Sequence, residues 1–97
     1  MSSAKSLKIT VHDIKGVCPI YRIGDTFWIK EGYKLERAGV LCMHSLSSIM
    51  PYYVALSQGI PAQEIGLGSD AAYVQCLDPC GFTGGGTVVF KIVPVSG

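Results

Sequence analysis

The sequence predicts a small α+β fold, with a mainly antiparallel sheet of four to five strands and one helical segment packed on a face. Three observations lead to this fold class. Several short segments alternate apolar and polar residues as half-buried strands do, one segment repeats apolar residues at helical spacing, and glycine and proline separate these segments. Because the chain has 97 residues and no linker-like stretch, we expect residues 1–97 to form a single domain.

Four segments have the composition of strands. Residues 7–11 alternate apolar and polar side chains, which is the period of a strand with one buried face. Residues 26–29 are aromatic and β-branched, and they follow a turn that contains Gly-Asp. Residues 72–77 and 87–93 complete the set, and the second of these is expected to lie centrally in the sheet.

One helical segment is expected over residues 44–58. Its apolar residues fall mostly at spacings of three and four: Leu46, Ile49, Met50, Tyr53 and Leu56. Gly59 follows as a typical helix stop. Pro51 interrupts the pattern, because proline lacks the N–H that an interior helical position donates. We therefore expect a short turn first and the helix proper from about Pro51.

The surface of this protein is expected to be short of charge. Charged residues make up 15% of the chain, against about 25% in typical soluble domains. Hydrophobic residues make up 48%, and the mean hydropathy is +0.37. A chain of this length hides only about 60–65% of its unfolded surface, so some apolar residues must remain outside the core. This predicts a homo-oligomer or a subunit of a larger complex.

The charge pattern and the first residues bear on partners and compartment. The net charge is +1 and no basic stripe is present, so nucleic acid is not an expected partner. No stretch approaches the ~18 apolar residues of a membrane span, and residues 1–8 have no apolar signal region. We expect a cytoplasmic protein without membrane contact. Because that compartment is reducing, the cysteines are expected to be thiols or metal ligands.

The four cysteines are the strongest candidate site: Cys18, Cys42, Cys76 and Cys80. Thiolates bind zinc and iron–sulfur clusters, and they can converge from distant loops. Cys18 precedes a proline and Cys80 follows one, so both are expected in turns. The spacing is not the paired Cys-x-x-Cys pattern of a zinc ribbon. The opposite interpretation, that they are small buried apolar residues, stays open.

Four other residues have side chains that suit acid–base or metal chemistry. Asp25 and Asp78 lie in turns, where an aspartate commonly accepts hydrogen bonds from nearby backbone N–H groups. His12 follows the first strand, whereas His44 lies near the helix start and two residues after Cys42. A Cys/His pair is the minimal arrangement for an activated thiolate, which makes His44 the better candidate.

A set of short motifs spreads over residues 8–93. They are Lys8-Ile9-Thr10-Val11, Lys15-Gly16, Cys18-Pro19, Gly24-Asp25-Thr26-Phe27, Leu41-Cys42, Pro51-Tyr52-Tyr53, Ala55-Leu56, Cys76, Asp78-Pro79 and Gly85-Gly86-Thr87-Val88-Val89-Phe90. Together they resemble an uncharacterised family of small microbial proteins of similar length. The resemblance implies no activity.

The same resemblance selects certain residues. The positions that match the pattern are Cys18, Cys42 and Cys76, together with Asp25 and Asp78. The fourth cysteine, Cys80, is less clearly part of it. The resemblance therefore leaves three cysteines plus an exchangeable ligand as an option beside a four-thiolate site.

Three functions stay open from the sequence. The first is a metal-binding accessory protein whose cysteines hold an iron–sulfur cluster or zinc. The second is a small oligomeric enzyme or ligand-binding protein with a pocket between subunits, in which Asp25, His44 or Asp78 supplies a polar group and a cysteine acts as nucleophile. The third is an interaction module without chemistry. The first requires Cys18 and the later cysteines to converge in the fold.

Overall fold

Five strands form one antiparallel sheet in the computed structural model, which describes residues 4–95. The strands are β1 (Ser6–Gly16), β2 (Thr26–Lys30), β3 (Lys34–Glu36), β4 (Ala72–Gln75) and β5 (Gly86–Val95). Their order across the sheet is β3-β2-β1-β5-β4, so β5 is an internal strand as expected. One α-helix, α1 (Met43–Ser57), packs on one face. The predicted α+β fold is confirmed.

Two strands differ most from the sequence prediction, and β4 also ends at Gln75 instead of Leu77. The first strand does not end at Val11 but continues to Gly16, because a bulge at His12 restores its pairing with β5 from Asp13 onward. The short strand β3 was not among the four predicted segments. Its three residues are too few to display a period of two, and it forms only by pairing with the edge of β2.

The core lies between α1 and the sheet. Alternate residues of β1 and β5 point toward the helix and are buried: Leu7, Ile9, Val11, Val88, Phe90 and Ile92. Phe27 of β2 and Ile49 of α1 complete the centre of this layer. Burying a side chain of this size contributes about 1.5–3 kcal/mol, so the alternating pattern accounts for much of the stability.

The helix is continuous from Met43 to Ser57, and the expectation of a separate helix from Pro51 is wrong. Pro51 lies inside α1 on its exposed side. The carbonyl that it deprives of a partner belongs to Ser47, which is also exposed, so water replaces the missing N–H. In the described part of the chain, no helix is long and apolar enough to cross a membrane.

Candidate thiol site

Three of the four cysteines line one cavity, where the N-terminus of α1 approaches the sheet. Cys18 comes from the loop after β1, Cys42 directly precedes α1, and Cys76 directly follows β4. The cavity has a volume of about 120 Å³. One buried water needs roughly 10–15 Å³ measured in this way, so the space exceeds that of a single water or ion.

The Cys18 sulfur is held by a tight turn. Its Sγ accepts the backbone N–H of Tyr21 at 3.4 Å, three residues along the chain. Pro19 follows Cys18 and fixes the backbone at the start of this turn. The preceding residue, Val17, donates its N–H to the carbonyl of Gly85 at 3.3 Å, which fastens the loop to the start of β5. The sulfur therefore has a defined place beside the sheet.

The second thiol is placed by a buried hydrogen-bond network at the start of α1. The Tyr21 hydroxyl accepts the N–H of Cys42 at 3.0 Å and lies 2.8 Å from Ser45 Oγ. Ser45 donates its own hydroxyl proton to the Cys42 carbonyl at 2.6 Å. Since that proton is used, Tyr21 is the donor in its bond to Ser45. Cys42 thus stands at the positive end of the helix dipole, where negative charge is stabilised.

The third thiol belongs to the sheet. The backbone of Cys76 continues the pairing with β5, because its N–H donates to the Val88 carbonyl at 2.9 Å. Its Sγ accepts the N–H of Val88 at 3.2 Å and lies 3.6 Å from the Gly86 carbonyl. As a thiol, Cys76 donates weakly to that carbonyl; as a thiolate or metal ligand, it keeps only the bond from Val88.

The structure places Cys80 away from these three. It lines a separate depression together with Thr87 and Val89, whereas Gly86 and Val88 line the thiol cavity. Successive residues of a strand point to opposite faces, so the depression that Cys80 lines opens on the other face of the sheet from the cavity. Its sulfur sits so close to Gly16 that a Cβ added there would be 2.5 Å away. The four cysteines therefore do not share one site in this structure.

Two predicted polar residues, Asp78 and His44, also line the thiol cavity. The Asp78 carboxylate accepts hydrogen bonds from the Thr83 hydroxyl and from the Cys80 N–H. The Thr83 hydroxyl, followed by the Cys80 amide, lowers the pKa of Asp78, and the charge of His44 acts in the same direction. These bonds are those of a turn aspartate. His44 is exposed at the cavity edge.

The other two polar candidates lie elsewhere. Asp25 accepts the N–H of Arg22 at 2.9 Å, as a turn aspartate does, and also forms an ion pair with Arg37 at 3.3 Å. His12 is exposed at the β1 bulge, where its ring packs edge-on against Tyr73 with 5.3 Å between centroids. Neither residue lines the thiol cavity.

Sequence reasoning missed the two residues that organise the site, Tyr21 and Ser45. Both are almost fully buried, and Tyr21 packs against Phe27 and Phe90 with centroid distances of 6.1 and 5.5 Å. The signal was present as spacing, because Tyr21 lies three residues after Cys18 and Ser45 lies three after Cys42. A hydroxyl or amide three residues after a cysteine is well placed to bond its sulfur or backbone.

The described residues 4–95 contain no group of three or more His, Cys, Asp or Glu side chains that could hold a metal ion. Comparisons with known protein families, curated proteins and solved structures found no match. The resemblance to an uncharacterised microbial family therefore stays a prediction. What can be argued about function depends on the geometry of the thiol cavity.

Proposed function

We propose that this protein binds an iron–sulfur cluster through Cys18, Cys42 and Cys76, as a small metal-binding accessory protein. The observation that supports this most is the meeting of three thiols at one cavity, although they come from three separate parts of the chain. Positions 18, 42 and 76 are far apart in sequence, so only the fold brings them together. Sulfur is the ligand atom that iron–sulfur clusters require.

Hydrogen bonds to two of the sulfurs favour thiolate ligands. Backbone N–H groups of Tyr21 and Val88 point at Cys18 and Cys76 respectively. Bonds of this kind stabilise negative charge on sulfur and set the reduction potential of bound clusters. Cys42 has the helix N-terminus in place of such a bond. Each proposed ligand thus has its own source of positive potential.

The size of the site favours a cluster over one zinc ion. A tetrahedral zinc ion needs ligand atoms about 2.3 Å from the metal, which draws the sulfurs tightly together. The three thiols line a cavity of about 120 Å³, which is larger than one ion needs. A cluster has several metal atoms, so its cysteine ligands stand further apart. Three cysteines would leave one iron of a four-iron cluster to an exchangeable ligand, and His44 lines the same cavity.

The experiment is metal analysis of protein purified without oxygen and again after reconstitution with iron and sulfide. We expect visible charge-transfer absorption, and iron and acid-labile sulfide in comparable amounts per chain. Cys18→Ser, Cys42→Ser and Cys76→Ser should each lose most of the iron. They should also lower the unfolding midpoint of the loaded protein, because metal binding contributes to folding free energy.

Cys80→Ser is the matched control, since Cys80 lies on the other side of the sheet. It should keep the absorption and the iron content of the unchanged protein. A wild-type protein that takes up no iron under either condition would contradict the proposal. One zinc ion per chain in the unchanged protein, and none in the same three variants, would contradict the cluster and support a zinc site.

One observation favours a second candidate, a thiol-based ligand-binding or catalytic site. His44 and Asp78 line the same cavity as Cys42, and the charge of His44 contributes to the lowered pKa of Asp78. A histidine near a thiol is the arrangement that activates a cysteine nucleophile. This candidate predicts metal-free protein in which iodoacetamide modifies Cys42 faster than Cys80, with a rate that falls in His44→Gln.

A further inference from the structure

An apolar flank lies between α1 and the sheet edge formed by β3. A groove of about 210 Å³ opens there, and its lining includes Ile29 and Leu35 of the sheet and Leu46 and Tyr53 of the helix. Large side chains around it are between 42% and 71% exposed. The α1–β3 flank is defined by five exposed side chains: Tyr33, Leu35 and Met50, which line the groove, and Met43 and Val54 of α1 beside it. It is distinct from the thiol cavity.

The helix side of this flank is a stripe. Met43, Met50 and Val54 are separated by seven and four residues, which places them in one row along the helix. Met50 also lines the groove, so the row forms a ridge directly beside it. Residues 43–57 include no Asp, Glu, Lys or Arg, although a solvent-exposed helix face normally carries charges. Exposed apolar surface of this kind marks an interaction site.

We propose that the α1–β3 flank is the contact surface between two copies of this chain. A twofold axis across the flank sets the two α1 helices side by side, so that the ridge of each copy enters the groove of the other. Because α1 has no Asp, Glu, Lys or Arg, this contact brings no like charges together. On the strand side, Lys34 lies between Tyr33 and Leu35 of the flank, and its charge is already paired with Glu31 at 2.5 Å.

The dimensions agree with such a contact. A standard interface covers about 800 Å² on each partner, which is about one seventh of the 5913 Å² surface of this chain. A helix of 15 residues is about 22 Å long, so α1 can extend along one whole side of an interface of that area. Five of the eleven large apolar side chains that are exposed within residues 4–95 lie on this flank.

Sedimentation velocity over a range of protein concentrations tests the proposal. The unchanged protein should be a dimer at tens of micromolar. Met50→Glu and Val54→Glu should each raise the dimer dissociation constant by about tenfold or more, because each buries a charge in an apolar contact. Both positions are about half exposed in the single chain, so the far-UV circular dichroism should not change.

Leu77→Glu is the matched control. Leu77 is exposed to a similar degree, but it follows β4, which is the sheet edge opposite to β3. The dimer dissociation constant of Leu77→Glu should equal that of the unchanged protein. A wild-type chain that stays monomeric at tens of micromolar overturns the proposal, and so does a dimer that Leu77→Glu disrupts while Met50→Glu does not. These results do not depend on metal content, so the proposed cluster stands or fails separately.

Discussion

The hydroxyl of Tyr21 accepts the backbone N–H of Cys42 at 3.0 Å and thereby joins the Cys18 loop to the start of α1. Tyr21 is also the residue whose N–H bonds the Cys18 sulfur. One buried residue thus links two cysteines that are 24 positions apart, through its backbone N–H to one and its hydroxyl to the other. The Tyr21 ring stacks on Phe27 and packs edge-on against Phe90. The Arg37 guanidinium lies 4.7 Å from the centroid of the same ring.

Tyr21→Phe should destabilise the protein by about 1–3 kcal/mol. The ring packing is kept, but the N–H of Cys42 loses its partner in a buried place, and so does the Ser45 hydroxyl oxygen. The measurement is urea denaturation of the metal-free protein at neutral pH. The unfolding midpoint should fall without a change in the slope of free energy against urea.

The control for this variant is Tyr73→Phe. The Tyr73 hydroxyl donates to Asp70 at 3.2 Å on the exposed surface, where water replaces the lost bond. Its free energy of unfolding should change by no more than about 0.5 kcal/mol. Equal losses for the two tyrosines would contradict a special role of the Tyr21 hydroxyl.

Gly86→Ala should destabilise the protein by about 1–3 kcal/mol and displace the Cys18 loop. A Cβ at position 86 would lie 2.7 Å from the Val17 carbonyl carbon and 2.8 Å from the Cys18 nitrogen. Both are backbone atoms, so they move only if the loop moves. Thermal unfolding measures the loss of stability, and iron uptake by the reconstituted protein should fall with it.

Gly81→Ala provides the matched comparison for that substitution. A Cβ at Gly81 meets nothing within 4 Å, and its φ is not in the left-handed region. We expect a change of no more than about 0.5 kcal/mol. If Gly86→Ala is equally harmless, the close approach of β5 to the Cys18 loop does not constrain the site.

The fold could be predicted from the sequence where one period persists over several residues. The alternation of Leu7, Ile9 and Val11 is a local property, and so is the helical spacing from Leu46 to Leu56. Features that depend on a neighbour were missed: β3 exists because it pairs with β2, and the bulge in β1 exists because of its pairing with β5. The proline inside α1 was misread, since only the tertiary structure reveals that its side of the helix faces water.

The candidate site was predictable in composition but not in arrangement. The sequence alone could not show that Cys18, Cys42 and Cys76 line one cavity. The number of residues between two cysteines does not determine the distance between them in the folded protein. Gly86 and Thr87 of β5 lie on opposite faces of the sheet. Gly86 lines the thiol cavity, whereas Thr87 lines the depression that contains Cys80. Predicting that Cys80 is separate from the other three cysteines therefore requires the register of the strands as well as the sequence.

Asp78→Asn should reduce the loss of stability at acid pH. The folded state lowers the pKa of Asp78, chiefly through the Thr83 hydroxyl and then through the Cys80 amide. Its carboxylate therefore stabilises the fold above the unfolded pKa of about 3.9, and this contribution is lost as the pH falls through the lower folded pKa. Urea midpoints measured from about pH 6 down to about pH 3 should fall less steeply in Asp78→Asn than in the unchanged protein.

Thr83→Ala removes the largest cause of the lowered pKa of Asp78, so it should also flatten this pH dependence while leaving the carboxylate in place. Asp13→Asn, in β1 opposite Val89 and outside this loop, should keep the steep dependence. A slope that Thr83→Ala leaves unchanged would contradict the assignment, because the Thr83 hydroxyl is the first cause of the lowered pKa of Asp78.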